Sequence, residues 1–292
     1  MENIARSWAH FKFNRRNRSL TVDIVLIIFL GFFGLFSALP LYMTIINAFK
    51  PISEIFLFPP RFYVQNPTLY NFFDLGTAVA NSRIVFGRYI FNTLLITFLG
   101  TAGTVLFGSM AAFPLAKYSF PGQKILNHII VYSLMFNSAA SGITTYYIMA
   151  RVNLVNTYAA VVLPVFAGTL GVFLMRNFIA AIPVQLLEAA KIDGKSEAGI
   201  YFSVIMPLSK PAWLTLIILS FQSLWGNTGG TFLYSENLKP VSFMFSQIVS
   251  AGIARTGVAG AISFIMLLVP VMVFVISQSK VIQTMATAGI KE

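Results

Sequence analysis

Six long apolar segments, separated by shorter polar stretches, dominate this 292-residue chain. A membrane-spanning helix needs about 20 largely apolar residues, and each segment reaches that length. Only 10% of the residues are charged, whereas soluble domains have about 25%. The sequence therefore predicts an all-α membrane protein with six transmembrane helices. In chain order the segments are residues 23–47, 89–113, 125–149, 157–177, 211–233 and 258–280.

The fifth segment differs from the others because its solidly apolar part ends near Leu224. The sequence Trp-Gly-Asn-Thr-Gly-Gly follows at residues 225–230 and favours a bend. Non-helical backbone within a bilayer is tolerated only where it is buried in protein or lines a wet cavity. The run therefore predicts either a break along a translocation path or a short helix that leads into an outer loop.

The basic residues predict the orientation of the segments. Thirteen of the 20 Lys and Arg residues lie on the side of the N-terminus, and seven lie on the other side. Because cytoplasmic loops are enriched in Lys and Arg, both termini are predicted to be cytoplasmic. Residues 1–22 form a basic cytoplasmic segment. The apolar stretch after it exceeds the core of a signal peptide, which has about 7–15 residues, so an uncleaved anchor is expected.

Several classes of function are disfavoured. Ion-coupled carriers and proton pumps usually hold charged groups at mid-depth, but no Asp, Glu, Lys or Arg lies within the six apolar cores away from their ends. The chain has no Cys, and His10 and His128 are isolated, so neither a catalytic site nor a metal site is predicted. The net charge of +11 is spread over loops, which favours membrane lipid over nucleic acid as its partner.

The loop between the fourth and fifth segments has the pattern of two helices joined by a tight turn. Pro183 suits the first position of a helix, residues 186–192 are good helix formers, and Gly194 fits the position after the helix end. Ser196 suits the N-cap of a second helix. A polar hairpin between two membrane segments is well placed to pass force from a soluble partner into the membrane.

The same loop carries a family resemblance. It reads PVQLLEAAKIDG at residues 183–194 and VIMPLSKP at residues 204–211. It closely resembles the loop of the permease subunits of type I ABC importers, and particularly of carbohydrate permeases such as the smaller permease of maltose-type systems. The stretches AFKP at 48–51, PTLYNF at 67–72 and AKY at 116–118 also resemble this family. The likeness covers residues 20–292.

The resemblance implies a type I permease fold for residues 23–292, with a cytoplasmic coupling loop at residues 183–210. In the family this loop lies in a cleft on an ATPase subunit, so Glu188 would make a polar contact there. Two alanines would allow close approach, and a glycine would make the turn. The residues assigned to the coupling loop in this way are Glu188, Ala189, Ala190, Asp193, Gly194 and Pro207.

Two details qualify the match. Lys195 stands where the family usually has a small residue, and Met206 replaces a leucine, although neither change disturbs the helix-turn-helix pattern. Without the rest of the pattern, Glu188 would be expected only to pair with Lys191 on a solvated helix face, which is worth a few tenths of a kcal/mol.

The resemblance also implies partners and a location. The chain would pair with a second homologous permease, a dimer of ABC ATPases and an extracytoplasmic solute-binding protein in the bacterial cytoplasmic membrane, as a multi-pass subunit. ATP and Mg would bind to the ATPase, so this chain would hold no cofactor and would not be an enzyme. The outer segment 226–257 would face the binding protein. The function implied is ATP-driven import of a sugar or oligosaccharide by alternating access.

A sugar path needs polar side chains for hydroxyl groups and aromatic faces for the sugar rings. The same residue types also mark membrane interfaces and helix contacts, so each candidate has a purely structural alternative. The candidates are Asn92, Tyr132, Asn137, Tyr146, Trp225 and Asn227. A further stripe of small residues on the second segment, from Gly100 to Ala112, is interpreted as a helix-packing surface.

Three other functions stay open on the sequence. One is a purely scaffolding membrane protein, which would be indicated if Glu188→Ala and Gly194→Pro left transport untouched. The same architecture could import a peptide, a polyol or a phosphate ester, and the ligand of the binding protein would decide between these solutes. An ion channel or an ion-coupled carrier would instead transport without ATP and would stop when the ion gradient collapsed.

Overall fold

The computed structural model describes residues 20–78, 84–136 and 138–288, and every regular element in this part of the chain is helical. Short 3₁₀ turns occupy Glu236–Leu238 and Ile253–Arg255. The α-helices are α1 Leu20–Phe49, α2 Ile52–Ile55, α3 Tyr70–Ala78, α4 Phe86–Lys117, α5 Gln123–Ser133, α6 Ser138–Arg151, α7 Tyr158–Phe166, α8 Thr169–Ala180, α9 Val184–Ile192, α10 Glu197–Ile200, α11 Met206–Leu208, α12 Lys210–Trp225, α13 Val241–Ser250 and α14 Thr256–Ala288.

Four helical segments in the described part of the chain are long and apolar enough to cross a membrane. They are Val22–Phe49, Phe86–Lys117, Tyr158–Ala180 and Ile253–Ile276. A fifth arises if Glu197–Leu208 and Lys210–Trp225, which are bent by 78° at their junction, are taken as one span. The all-helical membrane architecture is thus confirmed, whereas the count of six spans and the cytoplasmic position of the termini stay predictions.

Two predicted spans differ from the structure. The segment 125–149 is divided between α5 and α6 and does not form one continuous helix, because residues 134–136 form a turn. The predicted span 211–233 is too long, since α12 ends at Trp225. The glycine-rich run after it forms turns in which Gly229 and Gly230 have φ values of +78° and +48°, a conformation that glycine adopts without steric cost.

Helix α4 lies at the centre and packs against α7, α8 and α12. Its predicted small-residue stripe is buried, as expected. Gly103 shows why small residues are needed, because a Cβ built there would lie 1.9 Å from the ring of Phe166. At Gly100 the nearest atom to such a Cβ is a methyl carbon of Leu224 at 2.5 Å. The stripe therefore lets neighbouring helices approach the backbone of α4 closely.

The molecule has two ends that are used as reference points below. The end that carries the loop 183–210 and Lys117 is called the hairpin face, and the end that carries residues 50–69 and 226–240 is called the far face. Helix α1 packs near its C-terminal end against α14 and α3, while its side chains from Val22 to Leu41 are almost all exposed.

Candidate functional site

The loop 183–210, predicted to be a coupling loop, folds into the two helices and the turn that the sequence predicts. Helix α9 ends at Ile192, and Gly194 follows with a φ of +77°. The N–H groups of Gly194 and Lys195 donate to the carbonyls of Lys191 and Ala190, each at 3.0 Å, which is the bonding expected where a glycine closes a helix. The hydroxyl of Ser196 accepts from the N–H of Gly199 at 3.2 Å and caps α10. The predicted helix-turn-helix is confirmed.

The second arm of the hairpin continues into the membrane helix α12 through a bend. A π-helical turn at Tyr201–Ile205 separates α10 from α11, which contains Pro207. The hydroxyl of Ser209 donates to the carbonyl of Ile205 at 2.8 Å and covers one carbonyl near the break. Single π-helical turns frequently mark functional positions in helices. The 78° bend follows between Leu208 and Lys210, where the hairpin joins α12.

The hairpin presents one face to solvent and the other to the core. Glu188, Ala189 and Asp193 are exposed, so they are free to meet another subunit. Ala190 is buried together with Leu187, in a cluster that includes Ala112, Phe113 and Ile200. The close approach that the resemblance implied for Ala190 is therefore, in this conformation, an approach to the chain's own core.

A polar cluster that the sequence did not predict fastens the hairpin to α4. The ammonium of Lys191 lies 2.8 Å from a carboxylate oxygen of Glu197, so the alternative pairing of Lys191 with Glu188 is not the one observed. Tyr118, directly after α4, donates its hydroxyl proton to Glu197, and Lys191 lies 5.2 Å from the centre of the Tyr118 ring. The bond with Glu197 raises the pKa of Lys191 above its ordinary value. The only sequence signal was the motif AKY at residues 116–118.

Two further contacts strengthen this attachment. The ammonium of Lys117 donates to the carbonyl of Ala180 at 3.0 Å and also to that of Ile182. Within the core, the hydroxyls of Tyr201 and Ser109 share a hydrogen bond of 2.6 Å. Helix α4 and the adjoining Tyr118 are thus bonded to the residues before the hairpin, to its second arm and to the π-helical turn, and the ring of Tyr118 contacts Lys191 of the first arm.

Several residues predicted for a sugar path have structural partners. The fully buried Asn92 donates to the carbonyls of Asn237 and Lys239 at 2.8 and 2.9 Å, and it accepts from the hydroxyl of Tyr158 at 2.6 Å. The indole N–H of Trp225 donates to the carbonyl of Met266 at 2.9 Å. These contacts join α4 and α12 to neighbouring parts of the chain, which is the structural alternative to substrate binding.

The other predicted path residues lie in different places. Asn227 accepts from the N–H of Gly229 at 2.6 Å and shapes the turn after α12. Tyr132 is 59% exposed on α5. Tyr146 bonds through its hydroxyl to Tyr234 and lines a cavity of about 510 Å³ on the far face. Asn137 lies outside the described residues. The described members of the set therefore do not converge on one cavity.

A larger cavity escaped sequence reasoning. It has a volume of about 560 Å³, lies between α4 and α12, and is lined almost wholly by apolar side chains such as Trp213 and Phe221. Two threonines one turn apart, Thr97 and Thr101, also line it, and their buried hydroxyls have no hydrogen-bond partner among the described residues. An apolar cavity with two free hydroxyls can accept a ligand or a neighbouring helix that supplies polar groups.

Comparison with known proteins places this architecture. The chain is 30% identical over 233 residues to Protein LplC of Bacillus subtilis, covering 77% of this chain and 75% of that protein. It is 28% identical over 204 residues to the arabinooligosaccharides transport system permease protein AraQ of the same species, covering 70% and 72%. It is 27% identical over 252 residues to the sn-glycerol-3-phosphate transport system permease protein UgpE of Yersinia enterocolitica, covering 86% and 84%.

A solved structure shares the fold. A chain from a bacterial ABC transporter involved in the import of the acidic polysaccharide alginate superposes with a TM-score of 0.75 at 20% identity, covering 90% of this chain and 99% of that one. Residues 104–286, more than half of the chain, match the family described as the inner membrane component of binding-protein-dependent transport systems. The match spans the hairpin, the π-helical turn and α12. The chain therefore belongs to the family of binding-protein-dependent transport system inner membrane components.

Proposed function

We propose that this chain is one permease subunit of an ATP-driven importer that takes a sugar or oligosaccharide from an extracytoplasmic binding protein across the bacterial cytoplasmic membrane. The observation that carries the proposal is the hairpin, which exposes Glu188, Ala189 and Asp193 while its other face is fixed to α4. A second permease and two ATPase subunits would complete the importer. ATP and Mg would be held by the ATPase, and the hairpin would carry its movement into the membrane.

Helix α4 suits the transmission of that movement because it is one continuous helix of 32 residues. At the hairpin face it is bonded through Tyr118 and Ser109. At the far face Asn92 and Thr93 hold the loop 226–240, with the Thr93 hydroxyl accepting from the N–H of Val241 at 2.8 Å. A pull on the hairpin would thus reach the far loop, as alternating access requires. A ligand must favour one of two states by about 5.5 kcal/mol to shift them from 1:99 to 99:1.

Purification of the tagged chain in mild detergent, with its partners identified by mass spectrometry, tests this function. Recovery of a second permease and an ATPase, with loss of the ATPase in Gly194→Pro but not in Lys124→Ala, supports it. Gly194→Pro removes the N–H bonded to Lys191 and cannot adopt the φ of +77°. Lys124 is an exposed control on α5, outside the hairpin. A chain that transports alone, without ATP, would instead support the channel or carrier.

The substrate class needs a separate test, because one relative is named for arabino-oligosaccharides and another for sn-glycerol-3-phosphate. The complex in vesicles, with its binding protein outside and ATP inside, is supplied with each solute in labelled form. ATP-dependent uptake of the oligosaccharide supports the sugar assignment. Uptake of sn-glycerol-3-phosphate alone would instead indicate that the same architecture imports a phosphate ester.

A further inference from the structure

On the far face, residues 56–63 form an exposed aromatic segment, here called the aromatic hook. Phe58 is 94% exposed, and Phe56, Phe62 and Tyr63 are each more than half exposed. Contiguous exposed apolar patches commonly mark contacts with membranes or proteins. Four such side chains within eight residues therefore indicate that the hook contacts an apolar phase.

The polar groups around the hook are turned inward. Glu54 is 6% exposed, and its carboxylate accepts from the N–H groups of Gln65 and Asn66 at 3.0 and 2.9 Å. Lys50 is 3% exposed and donates to the carbonyl of Arg61 at 2.6 Å. These bonds close the loop beneath the hook. Arg61, the charged residue within the hook, is half-buried and donates to the side-chain oxygen of Gln65. The exposed side chains of the hook are apolar or aromatic.

A hydrogen bond fixes the depth of the hook along α1. The hydroxyl of Tyr42 donates to the carbonyl of Phe62 at 2.6 Å. Tyr42 lies two turns before the end of α1 at Phe49, which corresponds to about 10 Å along the axis. Helical side chains also point back toward the N-terminus. Phe62 therefore lies alongside the last turns of a membrane-spanning helix and not above its end.

We infer that the aromatic hook inserts into the boundary between headgroups and acyl chains of the lipid leaflet at the far face. Tyr side chains are enriched at that depth, and Phe side chains occur on the buried face of segments that lie at that boundary. The surface of the hook is continuous with the exposed apolar side chains of α1, such as Tyr42 and Leu39. Pro59 and Pro60 add no N–H groups that would need water. A soluble partner would approach beyond the helix end, so lipid is the occupant that fits the depth. The inference requires a membrane but neither an ATPase nor a substrate.

The chain contains no Cys, which permits a direct test with single spin labels. Phe58→Cys, labelled in the full chain in phosphatidylcholine–phosphatidylglycerol nanodiscs, is compared with two exposed sites. Leu35→Cys lies on α1 and is 75% exposed, and Asn237→Cys lies in the far loop 226–240, outside the candidate spans. The collision rate with oxygen, which partitions into lipid, is divided by that with a water-soluble nickel chelate. The expected ratio at Phe58 is severalfold above that at Asn237 and below that at Leu35, which lies near the middle of the span Val22–Phe49.

Either of two results would overturn the inference. A ratio at Phe58 equal to that at Asn237 would place the hook in water, and protection from both reagents would mean that protein covers it. Tyr63→Cys, at a second exposed site in the hook, supplies the same measurement should Phe58→Cys fail to fold. Adding Tyr42→Phe to the labelled chain removes the bond to Phe62 and is expected to lower the ratio severalfold. An unchanged ratio would refute the role of that bond in setting the depth.

Discussion

Tyr118 donates a hydrogen bond to the carboxylate of Glu197, a residue 79 positions later in the chain. The same carboxylate pairs with Lys191 on the first arm of the hairpin. One acidic side chain thus receives a bond from the end of α4 and another from α9, while it belongs to α10. The hairpin and the central membrane helix are therefore expected to move together.

In the proposed importer, Tyr118→Phe should weaken the link between ATP hydrolysis and transport. The ring, which packs against Phe113, is retained, and only the bond to Glu197 is lost. Because exposed polar pairs contribute about 0–1 kcal/mol, the melting temperature should change little. Coupling between distant sites changes by about 0.5–2 kcal/mol in such variants, so transport per ATP hydrolysed should fall by about twofold or more. Tyr147→Phe, which removes a bond to Arg151 away from the hairpin, is the control. An equal amount of transport per ATP hydrolysed in Tyr118→Phe and Tyr147→Phe would argue that the bond to Glu197 does not couple the two processes.

Gly194→Ala should destabilise the protein through the backbone alone. A Cβ at Gly194 would meet no atom within 4 Å, but the φ of +77° costs an alanine about 1–2 kcal/mol. Gly226→Ala is a matched control, because it also has free space and its φ is −84°. Thermal unfolding in detergent should show a loss of a few degrees for the first variant only. A similar loss of melting temperature in Gly194→Ala and Gly226→Ala would show that backbone strain at Gly194 is not the cause.

Asn92→Leu should release the far loop 226–240. It removes the side chain that bonds to the carbonyls of Asn237 and Lys239 and to the hydroxyl of Tyr158. Arg88 still donates to the Asn237 carbonyl and to the Tyr158 hydroxyl, so the Lys239 carbonyl loses most, at a cost of about 1–3 kcal/mol if it stays buried. Tyr158→Phe removes the hydroxyl that bonds to Asn92 and Arg88 but leaves both carbonyl bonds of Asn92 in place, and it should cost about 1 kcal/mol. Limited proteolysis at residues 226–240 and the melting temperature report both effects. Equal sensitivity to protease in Asn92→Leu and Tyr158→Phe would contradict the assignment of Asn92 as the main attachment of the loop 226–240.

Gly103→Ala should be far more damaging than Gly108→Ala. The new Cβ at position 103 would lie 1.9 Å from the Phe166 ring, which stacks on Phe107 at 5.1 Å, whereas at position 108 the nearest atom is 3.6 Å away. Overpacking of this kind costs about 1–3 kcal/mol. Phe166→Leu combined with Gly103→Ala should recover part of the loss in melting temperature. If the double variant lost more melting temperature than the two single variants lose together, the clash would lie elsewhere.

The closed loop beneath the aromatic hook should open in acid. Desolvation opposes ionisation of Glu54, but the hydrogen bonds from Gln65 and Asn66 outweigh it, so its pKa lies below the ordinary value. The stabilisation from Glu54 is then complete above the ordinary pKa, about 4.3, and is lost as pH falls through the lower folded value. As the pH falls from the ordinary pKa of Glu54 through its lower folded value, the mobility of a spin label at Tyr63→Cys should rise. Glu54→Gln should abolish this transition, and an identical curve in that variant would exclude Glu54 as its source.

Sequence reasoning succeeded where the physical cause is local. An apolar run of helix length predicts a membrane segment because transfer energies add residue by residue, and four of the predicted segments have counterparts among the long apolar helices. The turn at Gly194 and the cap at Ser196 were also predictable, because the conformational freedom of a glycine and the reach of a serine hydroxyl depend on a few neighbouring residues.

The tertiary structure decided which distant residues meet. Asn92 bonds to Asn237 across 145 positions and Tyr118 to Glu197 across 79, and no local rule predicts either pair. Each depends on how far α4 is displaced along its neighbours, which its small-residue stripe and the facing side chains of α7 and α12 determine. The sequence by itself therefore determined the apolar segments and the turn of the hairpin. Only helix packing decided that Asn92, a predicted path residue, holds the loop 226–240 and that Tyr118 fastens the hairpin. Such contacts require several helices to be placed at once.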